Sequence, residues 1–357
     1  MRVLHLTNYH NPYRDEFFEQ LGRRCDLTVL FEKRVDAARD ASWFEEVEAR
    51  SYQEVYLPEG ECGPVSPTML KTVEGDWSLV VVGCYNTTWQ MATIARMHRR
   101  RAPYVVNSDG MVFETGSTLK RAARGHVLRG ADAYLCAGEA CVPSLRRIVG
   151  RGALVAPYPF SSLTEERARE LARADAVRDP RLVLVVGQYE DYKGLDVMLD
   201  AISTLSDGLR FRFVGMGKKA DEFRALVEAR GLSDDVEVVP FLKPDDLAKE
   251  YLGAGLLVLP NRQECWGLVA NEAAACGCPV VSAWGSGAAV EFISRDYLQF
   301  LAEPGSAASL ALTAGEFTSR PEGEKREYSA FLRRKAAEYT IEATVDAHAS
   351  VRRGGSR

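Results

Sequence analysis

Two carboxylates, Glu264 and Glu272, stand eight positions apart in the stretch ECWGLVANE. Between them the chain changes from a loop into an apolar run of helical character. Gly267 is placed to open that helix, which puts the backbone N–H groups of Leu268 and Val269 in its first turn. Such amides have no intrahelical acceptor and form a natural anion site. Carboxylates accept hydrogen bonds from hydroxyls, and a sugar is a set of hydroxyls. A helix start for a diphosphate, flanked by two carboxylates for hydroxyls, fits a sugar nucleotide. Acidic residues early in a helix also favour its dipole, and Glu272 taken alone reads equally well that way.

Other polar groups follow short apolar runs, where open α/β sheets bind their ligands. After LVLVV comes GQYEDYKGLD, with Gly187, Gln188 and Lys193. Lys193 precedes a helix start and suits a phosphate, although a lone loop lysine is commonly solvated. After Val214 comes GMGKKA, which matches the dinucleotide fingerprint G-x-G-x-x-A. The acid that should end the next strand is missing, because VEVVPF ends in Pro240 and Phe241. Gly215 and Gly217 are therefore read as a tight turn beside a ligand. In the first half, TNYHNPYR offers Asn8, Tyr9, His10 and Arg14, and Tyr85 follows the run ending at Gly83. Asp109 in NSDG is a candidate general base, or a plain turn residue. The chain has no P-loop, no Asp-x-Asp, no histidine pair at metal spacing and no G-x-S-x-G elbow.

The elements that must carry these groups alternate. Strands are expected at Val3–Leu6, Leu27–Phe31, Leu79–Gly83, Tyr104–Asn107 and Ala133–Cys136. After a Pro-rich break they resume at Leu182–Val186, Arg210–Val214, Val236–Val239, Leu256–Leu259 and Pro279–Ser282. Runs apolar on both faces predict parallel strands covered by helices. The 357 residues exceed one ordinary domain. The expectation is two doubly wound Rossmann-like domains, 1–160 and 161–339, with a helix at about 340–357 packing back on the first.

Composition is that of a globular protein, 46% hydrophobic and 27% charged, with a net charge of −5 that argues against a nucleic-acid binder. No apolar run approaches the roughly 20 residues of a membrane helix, and no signal peptide is recognised, so a cytoplasmic location is expected. The eight cysteines form no C-x-x-C, and most lie in apolar stretches as buried free thiols. Residues 96–151 hold eleven basic and four acidic residues. Within them LKRAARGHVLR mixes Leu119, Ala122, Ala123, Val127 and Leu128 with Lys120, Arg121, Arg124 and Arg129. That pattern suits peripheral contact with an anionic membrane, or an ordinary helix with a solvated basic face.

Taken together, these motifs resemble family 4 retaining glycosyltransferases of the GT-B fold. ECWGLVANEAAACGCPVV is similar to that family's E-x7-E signature, and VGQYEDYKGLDVML, FVGMG and LLVLPNRQE fall in family order. NPYRDEFFEQL, LFEKR, NSDG and APYPFSSL resemble a bacterial capsular and exopolysaccharide branch. The resemblance implies two domains facing a cleft, with the active site between them. It implies that Glu272 holds the donor ribose and Glu264 the donor sugar. The amides after Gly267 and Lys193 would take the diphosphate. Gly187, Gln188, Gly215, Arg262, Trp266, Leu268 and Val269 complete the expected donor site. Gln188 stands where the family often has arginine, and Arg262 is the expected substitute. NSDG stands where many members have a histidine, so Asp109 is the counterpart, as base or as sugar-binder. Asn8, Tyr9, His10, Arg14 and Tyr85 are expected on the acceptor side.

The expected activity is retaining transfer from a nucleotide sugar to a saccharide, lipid-linked in surface polysaccharide synthesis, at the inner face of the membrane. No cofactor and no metal are expected. The alternatives are an epimerase or phosphorylase on the same fold, or a non-catalytic nucleotide-sugar binder. An NAD-dependent oxidoreductase is disfavoured by the missing strand-tip acid.

Overall fold

The computed structural model describes residues 1–34, 50–61, 66–83, 85, 87–112, 118–174, 177–205, 208–215, 217–293 and 295–350. The chain divides into two compact units, Met1–Ser162 with Ile341–Arg357, and Leu163–Thr340.

The first unit is built on strands β1 (Arg2–Thr7), β2 (Asp26–Phe31), β3 (Gln53–Tyr56), β4 (Leu79–Val82), β5 (Tyr104–Ser108), β6 (Ala133–Ala137) and β7 (Val155–Tyr158). They form one parallel sheet in the order β3-β2-β1-β4-β5-β6-β7. The second unit carries β8 (Asp179–Val186), β9 (Arg210–Val214), β10 (Val236–Val239), β11 (Ala254–Leu259), β12 (Val280–Ala283) and β13 (Leu301–Ala302). Its parallel sheet runs β10-β9-β8-β11-β12-β13. Each sheet reverses its winding beside its first strand, at β1/β4 and at β8/β11. That reversal opens a crevice at the carboxyl ends of the two strands.

All ten expected strands form. Three more do too, and each lacks the double-sided apolar signal. Strand β3 is an edge with exposed Gln53 and Glu54, and β13 has only two residues. Strand β7 contains Pro157, which cannot donate to a ladder and is tolerated because β7 is the sheet edge.

Helix Ile341–Ser350 completes the first unit by covering one face of its sheet. Ile341 and Val345 are buried in one cluster with Val3, Phe17, Phe18, Leu21 and Val81. Helix Pro12–Gly22 supplies three of those side chains, and the side chain of Asn11 caps its start by accepting from Arg14 N at 3.0 Å. Ile341 is 1% exposed, so Ile341→Ala should cost about 2–4 kcal/mol in urea unfolding. Leu312→Ala, at a site 66% exposed, should stay within about 0.5 kcal/mol.

Candidate functional site

In the second unit three strand-tip loops are laced together at the winding reversal. They follow β8 (residues 187–194), β11 (260–267) and β12 (284–287). Arg262 N and Gln263 N donate to Tyr192 O at 2.8 and 3.2 Å, joining the first two. Glu264 N donates to Gly285 O at 2.6 Å, and Gly287 N to Glu264 O at 3.2 Å, joining the second and third. Ala288 N and Ser286 Oγ both donate to Trp266 O, at 2.8 and 3.0 Å. Only glycine permits the crossing at 285, where a Cβ would lie 2.2 Å from Asn261 O and 2.5 Å from Arg262 O.

This frame fixes the helix Leu268–Ala275, which begins as the sequence predicts. Gly267 precedes it in the left-handed region, with φ 95°. The carboxyl end of the helix is held by cations. Arg178 donates to Cys276 O at 2.6 Å, and also to Tyr251 O and Ala254 O. Arg333 reaches Cys276 O at 3.3 Å. Positive charge at this end complements the helix dipole and leaves the amide end for an anion.

At that amide end Lys193 Nζ and Glu264 Oε2 form an ion pair whose side chains are 14% and 17% exposed. The two residues come from β8 and β11, on either side of the reversal. Gly187 and Gly215 extend the β8 and β9 ladders, Gly187 N donating to Val214 O and Gly215 N to Val239 O. Gln188 lies over this turn, its side chain about 3.6 Å from where a Cβ on Gly217 would stand.

Other expected donor residues are placed differently. Arg262, expected to replace a missing phosphate cation, is clamped by Asp196 through two bonds of 2.8 and 2.7 Å and by Asp191 O at 2.7 Å. The Arg262 bond holds the Asp196 carboxyl below its ordinary range. Trp266 is only 3% exposed, and its indole donates to Asn271 Oδ1 at 2.9 Å. The ring anchors the loop. Glu272 accepts from the Tyr251 hydroxyl at 3.2 Å. Burial, reinforced by that carboxylate, holds the Tyr251 phenol well above its ordinary pKa and keeps it a donor. Cys265 is exposed, unlike the buried Cys136, Cys141, Cys276 and Cys278.

In the first unit Asp109 follows β5 and pairs with Arg14 Nη2. Asn107 Nδ2 and the Tyr158 hydroxyl also donate to its Oδ1, at 2.8 and 3.2 Å. Arg14 further donates to Thr7 Oγ1 at 3.2 Å. Asp109 and Arg14 are thus brought together. Tyr85 bonds Ser108 Oγ at 2.8 Å, and Asn8 Oδ1 accepts from Gln90 Nε2 at 3.0 Å. Tyr9 is half-buried in the same β1 loop. His10 is enclosed within the first unit. It is 7% exposed, stacks on Phe31 at 3.9 Å, and bonds Asp15 at 2.8 Å and Tyr56 at 2.6 Å. It holds the loop. Sequence reasoning missed Asp196, Ser286, Asn107, Tyr158 and His348. The glycine spacing of WGSG after an apolar strand was the one available signal for the 284–287 loop.

Residues 167–336 match the family model described as glycosyl transferases group 1. The matched stretch lies within the second unit. A D-inositol 3-phosphate glycosyltransferase of Segniliparus rotundus is 38% identical over 121 residues, 31% of this chain and 27% of that protein. Its counterpart from Rhodococcus erythropolis is 32% identical over 191 residues, 50% of this chain and 39% of that protein. The aligned part thus spans well under half of these relatives. Across 99% of the chain the fold is similar to sucrose-phosphate synthase from Thermosynechococcus elongatus, with TM-score 0.75, 19% identity and 98% of that structure covered. Anabaena Alr3699/HepE in complex with UDP-glucose has TM-score 0.70 and 16% identity, covering 98% of this chain and 99% of that one. The architecture is that of GT-B glycosyltransferase structures. None of these matches singles out a capsular or exopolysaccharide branch.

The lacing predicts that Gly285→Ala forces the 260–267 loop away from its clamp. Hydrogen exchange at the Glu264 and Gly287 amides should quicken at least tenfold while the thermal transition stays cooperative. Unchanged exchange would show that the crossing does not position the loop.

Proposed function

We propose that the protein is a retaining glycosyltransferase that moves a sugar from a nucleotide-sugar donor to a saccharide acceptor. The observation that carries this reading is the meeting of Lys193 and Glu264 at the head of the helix opened by Gly267, inside the stretch that matches the group 1 family. In this reading the amides of Leu268 and Val269 and the Lys193 ammonium take the diphosphate. They stabilise the charge that grows on it as the glycosidic bond breaks. Glu264 accepts from hydroxyls of the donor sugar, and Glu272, steadied by Tyr251, from the ribose.

No carboxylate is assigned as a covalent nucleophile. Retention then follows from front-face attack, with a phosphate oxygen or Asp109 taking the acceptor's proton. The missing Asp-x-Asp and the presence of Lys193 support a reaction without divalent metal. UDP in the HepE complexes supports a uridine nucleotide as the first donor to try.

For the acceptor we propose a lipid-linked saccharide of surface polysaccharide synthesis. Arg99, Arg100, Arg101, Arg129, Arg146, Arg147 and Arg151 are all exposed on the first unit. On helix Thr118–Leu128, Leu128 is fully buried and Ala122 and Ala123 are exposed, so no broad apolar stripe faces outward among its described side chains. Contact with an anionic surface would therefore be electrostatic. Sedimentation with phosphatidylglycerol vesicles, reversed by salt, tests it; equal recovery with neutral vesicles rejects it.

The direct test is turnover of UDP-glucose in EDTA, with the anomer of the product read by NMR. Slow release of α-glucose, at least tenfold weaker donor binding in Lys193→Ala and Glu272→Ala, and a chiefly lower kcat in Glu264→Ala are expected. A β product, a strict requirement for Mg²⁺ or Mn²⁺, or unchanged binding in both donor variants would contradict the reading. Binding without turnover of any sugar nucleotide would favour a non-catalytic binder.

A further inference from the structure

Behind Asp109 lies a buried chain of hydrogen bonds that ends on the C-terminal helix. Asn107, 4% exposed, gives its Nδ2 to Asp109 and to the Tyr158 oxygen, at 2.8 and 3.3 Å. Its Oδ1 faces His348 Nε2 at 3.1 Å. The other ring nitrogen of His348, Nδ1, faces Thr344 O at 2.8 Å. The helix is tied to this place, because Thr344 Oγ1 donates to Pro159 O at 2.5 Å. The His348 ring is 8% exposed and wedged edge-on against Phe17 and Tyr158, with centroids 4.9 and 4.8 Å away.

Proton bookkeeping makes this chain two-state. A carbonyl oxygen can only accept, so Nδ1 carries a proton. Nε2 then has two options. In the imidazolium it is a donor, and the amide oxygen of Asn107 is its proper partner, as found. In the neutral ring it is an acceptor, and Asn107 must present its N–H instead. That half-turn withdraws the amide N–H from Asp109 and leaves the amide oxygen to the Tyr158 hydroxyl. A cavity of about 20 Å³ lined by His5, Tyr13, Asn107, Asp109, Tyr158 and His348 borders the amide. The charged and titratable groups facing His348 are Arg14 from helix Pro12–Gly22, His5 from β1, Tyr158 from β7 and, through Asn107, Asp109 after β5. Burial, and then Arg14, push the imidazole down to about 4, against the bond to Thr344. At neutral pH the ring is neutral.

We propose that His348 is a positioning residue for Asp109, acting through the Asn107 amide: the ring decides whether that amide donates to Asp109 or to the histidine. With a neutral ring, Asp109 keeps Arg14 and loses both the amide donor and the single proton of the Tyr158 hydroxyl, which makes it a better proton acceptor. The kinetic consequence rests on the reading of Asp109 as the base; the structural claim does not.

Two measurements at pH 7 test it. The first follows the ¹⁵N side-chain amide signals of Asn107, assigned with Asn107→Asp. In His348→Leu the amide has no partner on the helix and settles on Asp109, so its signals should move. In His348→Gln an amide oxygen can accept as Nε2 does, and the signals should stay near those of the parent. Unmoved signals in His348→Leu would overturn the proposal, whatever the activity. The second is UDP-glucose turnover. His348→Leu should lower kcat about tenfold with KM for the donor unchanged, and His348→Gln should recover most of it. Loss in both variants alike, with the amide signals displaced in both, would mark a merely structural role and overturn it. If Asp109→Asn leaves turnover unchanged, the base assignment fails, and the amide signals alone decide the claim about His348.

Discussion

The second unit depends on one constraint: two opposite charges from neighbouring strand tips must share a largely buried place at the head of a helix. Neither Lys193 nor Glu264 would be stable there alone, because a buried unpaired charge costs several kcal/mol. In the proposed reading, a diphosphate at the first-turn amides would compete with Glu264 for the ammonium and leave the carboxylate to the sugar. The eight-residue spacing of the two glutamates follows from this geometry. Glu264 lies in the loop before the helix, and Glu272 lies just over one turn inside it, on Tyr251. The helix dipole, closed off by Arg178 and Arg333 at the far end, directs the same anion to the same point.

The first unit solves a related problem with a different outcome. Its strand-tip carboxylate, Asp109, is surrounded by polar groups that come from four elements: Arg14, Asn107, Tyr158 and, at one remove, His348. The strand-tip loops of the second unit are laced by backbone, whereas the surroundings of Asp109 are laced by side chains whose protons can move. A backbone lattice suits a site that must hold a fixed group such as a phosphate. A side-chain network suits a site whose proton affinity is to be set.

Much of the fold was legible because parallel strands buried on both faces leave continuous runs of Val, Ile and Leu, such as LVLVV and LLVL. The missed strands were those that break this rule at sheet edges, where Gln53, Glu54 and Pro157 are tolerated. The helix start at Gly267 was legible because a left-handed turn favours glycine. What could not be read was which polar residue finds which partner. Arg262 looked available for phosphate, but Asp196, in the first turn of the helix Leu195–Ile202, takes both its arms. Trp266 was expected at the donor from the resemblance alone, and sequence gave no sign that its ring turns inward onto Asn271. His10 and His348 are far apart in sequence from Tyr56 and Asn107, and periodicity carries no information on such pairs.

The central claim is that the amides after Gly267 and Lys193 hold the diphosphate of a nucleotide. Calorimetric titration of the wild type and Lys193→Ala with UDP, UMP and uridine addresses it most directly. The account predicts that UDP binds the wild type at least tenfold more tightly than UMP, that uridine binds weakly, and that Lys193→Ala removes most of the UDP advantage. Equal affinity for UDP and UMP, or a UDP advantage that survives Lys193→Ala intact, would contradict it.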